Sequence, residues 1–407
     1  MSIPTPYEET GEWTPLAVEE AWLEQIDGVG GAFVEEVARS GEDRPIWAVT
    51  LGTGTSHAVI LCLQHANEPA TREVAHKMIR DLAYRTEPWM ETYLAGQKVT
   101  FITNANPDGF AHGTRNPPTG DSLNMDWLRL RQPETRTISA RIEQWDPDIV
   151  MDAHETSGQP VGDWRPQPGG HPAEYSGLRA LATEYVDEVE GILDGDGWET
   201  AWYPVTLIAW ASLSTLQTAK GRVGILSETV SHSSRPVSQR LEISYIAFTH
   251  LLQWHQERLD DILQARADAA ADAVERPVPT PIPSSVYIPR ASPRVTFASS
   301  YVLTEPVPQY LLDGHGIVVD GGQVAVQQTA RAVVTALLDP LSFERAVDAM
   351  PVAQPDDDAA GHGPRVVVMR DGVRSSAALE VPSDSAGARY VVQKVIVQQG
   401  GVRHVIG

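Results

Sequence analysis

HAVILCLQHANEPATREVAHKMIRDLAYR, residues 57–85, is the stretch on which the fold turns. Residues 57–64 are apolar almost throughout, as suits a strand buried on both faces of a sheet, and they end in a polar cluster. From residue 72 the apolar positions recur at helical spacing, so a strand feeds a helix through a short polar turn. The alternation continues outward. PIWAVTLG (45–52), KVTFITNAN (98–106), DIVMDAHE (148–155) and VGILSE (223–228) read as strands. GLRALATEYVDEVEGIL (177–193) and the Ala-, Leu- and Arg-rich 236–270 read as helices. Residues 1–45 read as a helical lead-in, because LAVEEAWLEQI and AFVEEVARS both space their apolar residues as helices do. The expectation is an α/β fold, a mixed and mostly parallel sheet flanked by helices.

A break follows. ERPVPTPIPSSVYIPR (275–290) carries five prolines and predicts an extended linker. Beyond it, short Val-rich strands alternate with Gly and Asp turns, as in GIVVDGGQVAV, PRVVVMR and YVVQKVIVQ. One helical stretch, ARAVVTALL (330–338), interrupts them, and AQPDDDAAGHG (353–363) reads as a mobile loop. The expected organisation is a catalytic domain over 1–274, a linker over 275–290 and a small β-rich C-terminal domain over 291–407.

Composition narrows the function classes. The 407 residues are 42% hydrophobic and 21% charged, the balance of a globular protein that builds a core without staples. The net charge of −23 repels phosphate backbones and anionic lipid, so neither nucleic acid nor membrane is an expected partner. Cys62 stands alone and can form no internal disulfide. The start, MSIPTPYEETGEWTP, has neither a basic nor an apolar signal region, and runs such as VILCL are too short to cross a bilayer. A cytoplasmic location is the expectation.

Three strand ends carry the chemistry. A zinc hydrolase needs neutral imidazoles and a carboxylate as ligands, with one coordination position left for water. His65 and Glu68 directly follow the 57–64 strand, where open α/β sheets place their sites. By itself such a pair is a common accident of sequence. His154 ends a second apolar strand, and Asp152, two residues earlier on the same side, suits a carboxylate that orients an imidazole. Glu228 ends a third, where a carboxylate can take a proton from water and pass it to a leaving amine. Read singly, His154 is a hydrogen-bonded core histidine and Glu228 a surface glutamate; together the three ends argue for a zinc centre.

The order HANE (65–68), NANPDGF (104–110), RNPPTGDSLNMDW (115–127), DAHE (152–155) and SETV (227–230) resembles the M14 zinc carboxypeptidases over roughly residues 35–265. RSGEDRPIWAVTLG is similar to that family's strand entry before its metal site. The resemblance implies a carboxypeptidase-like fold and a zinc metallopeptidase activity. It implies His65, Glu68 and His154 as ligands of Zn2+, Glu228 as general base, and Arg115 as the guanidinium that polarises the scissile carbonyl. QYLLDGHGIVV and QQTARAVVTALLDPLS resemble the tail of some bacterial members. HANEPA and DAHET are also similar to the aspartoacylase and succinylglutamate desuccinylase branch, which hydrolyses amides with the same apparatus.

One position departs from the family. Its carboxylate-binding pair is Asn-Arg; here LNMDW gives Asn124 and Met125. Arg129 or Arg131 is then the replacement anchor for a substrate carboxylate, or the substrate carries an uncharged group at that end. Tyr203 is the candidate for the family's mobile tyrosine, among the aromatics Trp164, Trp202 and Trp210 that precede Glu228. His57, His112, His171, His232 and His255 read as solvated or structural, with His112 closest in sequence to Arg115. The expected partner is a peptide or an acylated amino acid. The alternatives are a deacylase acting on a small or C-terminally modified substrate and a catalytically impaired binding protein on the same fold. A zinc deaminase would need a P-C-x-x-C element, which one cysteine excludes.

Overall fold

The strand of residues 57–64 lies at the middle of the sheet, and every residue of its core is buried. A computed structural model describes residues 2–156, 163–169, 176–201, 212–230 and 235–275. In the C-terminal part it describes 300–303, 309–320, 323–325, 366–370, 373–378, 395–399 and 402–406. The chain begins with α1 (Pro6–Thr10), α2 (Leu16–Ile26), β1 (Phe33–Arg39), β2 (Pro45–Gly52) and β3 (Ser56–Cys62). It continues through α3 (Ala70–Tyr84), α4 (Pro88–Gly96), β4 (Gln97–Ile102), α5 (Pro107–His112), α6 (Pro133–Trp145) and β5 (Ile149–Thr156). Then come β6 (Gln167–Pro168), α7 (Ser176–Gly195), α8 (Leu213–Ala219), β7 (Val223–Val230), α9 (Val237–Glu257) and α10 (Leu259–Glu275).

The sheet order is β1-β2-β4-β3-β5-β7-β6. The inner strands β4, β3, β5 and β7 run parallel, and β1, β2 and β6 add antiparallel edges. Helices cover both faces, which is why the inner strands have no polar side. On one face Val74, Met78, Tyr185, Phe248 and Leu251 of α3, α7 and α9 pack on Val99, Ile60 and Met151. On the other, Ile138 and Ile142 of α6 and Leu213 and Leu216 of α8 enclose Trp127. This is the predicted architecture.

Two local expectations change. AFVEEVARS forms β1, not a helix, and pairs with β2 from Phe33 opposite Thr50 to Arg39 opposite Pro45. The register shifts between Glu36 and Ala38, so Val37 and Ala38 both reach the second core. A bulge of this kind imitates helical spacing, because it sends two consecutive residues inward. The 236–270 helix is two helices, α9 and α10, which meet at Arg258 (φ −103°, ψ 15°).

Past residue 299 the described strands are β8 (Ser300–Leu303), β9 (Val318–Asp320), β10 (Gln323–Ala325), β11 (Val366–Arg370), β12 (Val373–Ala378), β13 (Val395–Gln399) and β14 (Val402–Ile406). They form a second sheet in the order β14-β13-β12-β11-β8-β10-β9. Between β8 and β9, α11 (Gln309–Gly314) packs against α6. Ser139 Oγ donates to the Gly314 carbonyl at 2.6 Å, and the His315 ring bonds the Leu128 carbonyl at 3.0 Å. Nearly all of the proline-rich 275–290, together with 330–338 and 353–363, lies outside the described residues. Among the described residues no helix is long and apolar enough to cross a membrane.

Candidate metal centre

The chain leaves β3 at Leu63, whose φ of 56° is left-handed and uncommon for a branched residue. That reversal starts the turn that carries His65 and Glu68 and closes with Glu68 N bonded to the His65 carbonyl at 3.0 Å. Because β3, β5 and β7 are parallel and adjacent, their carboxyl ends open on the same side of the sheet. His154 on β5 and Glu228 on β7 are register partners. Register partners of a parallel pair share a face, so the two side chains project to the same side, and His154 reaches Glu68 of the β3 turn at 2.9 Å.

One ligand atom from each of His65, Glu68 and His154 lies within 4.8 Å of the others, and all three residues are buried. His65 Nδ1 is 3.0 Å from Glu68 Oε1. His154 Nδ1 is 2.9 Å from Glu68 Oε2 and 3.1 Å from His65 Nδ1. The other nitrogen of His154, Nε2, faces Asp152 Oδ1 at 2.8 Å, the relation expected of a carboxylate that orients a ligand. Two imidazoles and one carboxylate aimed at a point are the donor set of a catalytic zinc site, so the residues fit that metal.

The electrostatics are uneven. Burial opposes ionisation of Glu68, but the adjacent imidazoles of His154 and His65 outweigh it and hold the carboxyl well below its usual range. Burial pulls the His65 imidazole down against the pull of Glu68. Burial also opposes a charge on His154, yet Asp152 and Glu68 raise its pKa well above the ordinary value. Glu228 has no such compensation. Burial pushes its carboxyl up to about 8; His154 and Arg115 act against that and Glu68 and Asp152 with it.

Arg115 comes from the stretch after α5. Asn106 caps α5 through Gly109 N at 2.9 Å and donates to the carbonyls of Gln64 at 3.0 Å and Arg115 at 3.1 Å. Ala66 N also bonds the Arg115 carbonyl, so the NPDG turn ties this arginine to the metal turn. The guanidinium contacts Glu68 Oε1 at 2.5 Å and His65 Nδ1 at 2.8 Å. Asn124 and Met125 lie on a single 3-10 turn. Asn124 Oδ1 is buried without a partner among the described residues, whereas Met125 packs against the core that contains Trp127. Arg129 is half-buried and desolvation lowers its pKa; Arg131 is exposed.

His112 turns to Glu42, at 2.9 Å, and not to the centre. Trp164 is fully buried, with its indole N–H on Ser227 Oγ at 2.9 Å, and belongs to the core. His57 and His255 are buried on Thr100, at 2.8 Å, and on Ser56 and Tyr93, at 2.7 and 3.0 Å. Tyr203, Trp202, Trp210, His171 and His232 lie outside the described residues. Two contributors escape sequence reading, Gln64 and Trp127. Gln64 lies in the polar cluster that ends the 57–64 strand, but its partners are set only by the fold.

The Zinc carboxypeptidase family model, Peptidase_M14, matches residues 20–136. That stretch includes His65, Glu68 and Arg115, and the fold supplies His154 and Glu228 beyond it. Over that stretch the chain is similar to the M14 zinc carboxypeptidases. The chain is also similar to Carboxypeptidase 2 of Trichophyton tonsurans, 30% identical over 112 residues, 26% of this chain and 21% of that protein. Carboxypeptidase 2 of Trichophyton rubrum is 31% identical over 99 residues, 24% of this chain and 18% of that one. The match therefore spans about a fifth of the length of these curated relatives. Two solved structures share the fold. The metallo-carboxypeptidase from Burkholderia cenocepacia has a TM-score of 0.51 at 19% identity, covering 59% of this chain and 69% of that one. The metallo-carboxypeptidase from Pseudomonas aeruginosa, in complex with (2-guanidinoethylmercapto)succinic acid, has a TM-score of 0.50 at 18% identity, covering 60% and 69%.

Proposed function

We propose that this chain is a zinc-dependent hydrolase of amide bonds of the M14 carboxypeptidase kind, acting on a peptide or an acylated amino acid. The convergence of His65, Glu68 and His154 on one point, beside the register-matched Glu228, supports the reading. Zinc supplies Lewis acidity at a carbonyl oxygen and acidifies water at neutral pH. His65 Nδ1, Glu68 and His154 Nδ1 would hold it. Glu228 accepts a proton at its carboxylate and returns it to the leaving nitrogen. A dication nearby lowers the carboxyl pKa that burial raises, which leaves Glu228 ionised for that task. The Arg115 guanidinium sits beside Glu68, where it can stabilise a developing oxyanion.

The substrate's end is a finer question. Met125 offers no cation and packs into the core, so Arg129 is the proposed anchor for a carboxylate, with Asn124 and Tyr203 as further contacts. Elemental analysis of protein purified without chelator should find one zinc per chain, and His65→Ala should lose most of it. The same preparation should hydrolyse N-acylated amino acids or short peptides, assayed as paired free acids and amides. Full zinc retention by His65→Ala would overturn the ligand set, and absence of turnover on every amide tested would overturn the activity.

A further inference from the structure

A chain of hydrogen bonds enters the centre from the loop 121–131. Trp127 is fully buried and gives its indole N–H to Gln64 Oε1 at 2.7 Å. Gln64, equally buried, gives its amide nitrogen to Asp152 Oδ1. The same oxygen meets His154 Nε2 at 2.8 Å. The far side of that ring, Nδ1, faces Glu68 and His65.

The chemistry of the groups gives this chain one direction. An indole N–H only donates, so Trp127 must face the oxygen of the Gln64 amide. That fixes an orientation which coordinates alone leave open. The amide nitrogen also only donates, so Asp152 accepts. A carboxylate accepting there has no proton to give, so the bond to His154 takes its proton from Nε2. Nδ1, which lies 2.9 Å from Glu68 Oε2, is then the nitrogen whose lone pair is left for a metal once one is bound between them. Gln64 Nε2 also lies 3.3 Å from His154 Nε2. Were that contact a bond into an Nε2 lone pair, Asp152 would face the same lone pair at 2.8 Å with no proton between them. Reversing any link in this order leaves like groups opposed in a buried site, where an unsatisfied polar group is costly.

We infer that Trp127 and Gln64 are positioning residues that fix the metal-binding tautomer of His154 and tie the loop bearing Asn124, Met125 and Arg129 to the centre. The inference rests on the reading of that centre as a zinc site. The test is zinc affinity by chelator competition on the full chain, for the native protein, Gln64→Met, Trp127→Phe and the double variant. Loss of groups that orient a ligand typically weakens metal binding roughly 10–100-fold, and Gln64→Met should fall in that range. Trp127→Phe should weaken binding less, and the double variant should bind no more weakly than Gln64→Met alone, because Trp127 acts through Gln64. Independent, multiplying losses would overturn the relay. So would native zinc affinity in both single variants, even with a lowered Tm. If a variant fails to fold, imidazole nitrogen NMR of the zinc-loaded native protein answers the same question: His154 should carry its proton on Nε2, and zinc on Nε2 would overturn the inference. Should the native protein bind no zinc, the reading of the centre falls with it; should native and variants bind alike, only the relay falls.

Discussion

At the scale of single residues, Glu228 separates two jobs that a carboxylate can do in such a centre. It is buried and opposite His154 in register, yet it stands outside the ligand cluster. Glu228→Gln keeps its shape and removes its basicity. Turnover should fall by roughly 10²–10⁴-fold, the range for a positioned general base, while zinc content stays native. Near-native turnover would assign the proton to another group, and lost zinc would make Glu228 a ligand. As candidates, His65, His154 and Glu228 stand out in the sequence because each is a polar residue at the end of an apolar run, with Glu68 three residues past the first, and such residues are costly to bury without a partner. Gln64 carries the same signal, but the partner that explains it, Trp127, is brought to it only by folding. The consequence of Met125 for a substrate was legible as a missing charge; that its side chain packs on the core was not.

At the scale of elements, the inner strands and their helices could be read because burial on both faces leaves an unbroken apolar run. β1 was misread because its bulge gives helical spacing to a strand. The end of the sheet opposite the centre is tied by Asp148, whose carboxylate accepts from Ser56 Oγ at 2.6 Å, from His57 N at 3.0 Å and from Arg266 of α10. Ser56 in turn bonds His255 of α9, so β3, β5, α9 and α10 meet there. Burial holds His255 down to about 4, with Asp148 opposing, and His57 down to about 3, with Lys98 adding to burial. Both values lie below the unfolded value of about 6.5, so the unfolded chain binds more protons across this window. The stability that neutral histidines confer is therefore complete above about pH 6.5 and is lost as pH falls toward 4 and then 3. The native chain's urea midpoint, measured against that of the His57→Gln/His255→Gln double variant, should lose its advantage steadily from pH 7 to pH 4.5. A difference that stays constant over that range would mean that these rings carry the same charge folded and unfolded.

At the scale of the whole molecule, the proposed division at 275–290 has a qualification that composition could not give. The strands after it follow from Val-rich runs, but residues 309–317 return to the larger α/β sheet and its helices. Leu312 and Ile317 are buried, Lys220 Nζ reaches the Gly314 carbonyl at 3.3 Å, and the Arg136 guanidinium lies 4.1 Å from the Tyr310 ring centroid. His315 holds the carbonyl of Leu128, which lies within the proposed substrate loop. Nothing in QYLLDGHGIVV announces this, because a docked segment has the same apolar spacing as one that packs on its own domain. The return makes covalent connection a thermodynamic quantity. Tethered, the segment meets its groove at an effective concentration fixed by the chain; severed, it must find the groove from bulk solution. A protease site inserted between Glu275 and Gln309 should give two pieces that co-elute when concentrated and part on dilution. The unfolding midpoint, independent of concentration in the intact chain, should then fall as the nicked protein is diluted. Pieces that separate at every concentration would show that the docking has no strength of its own.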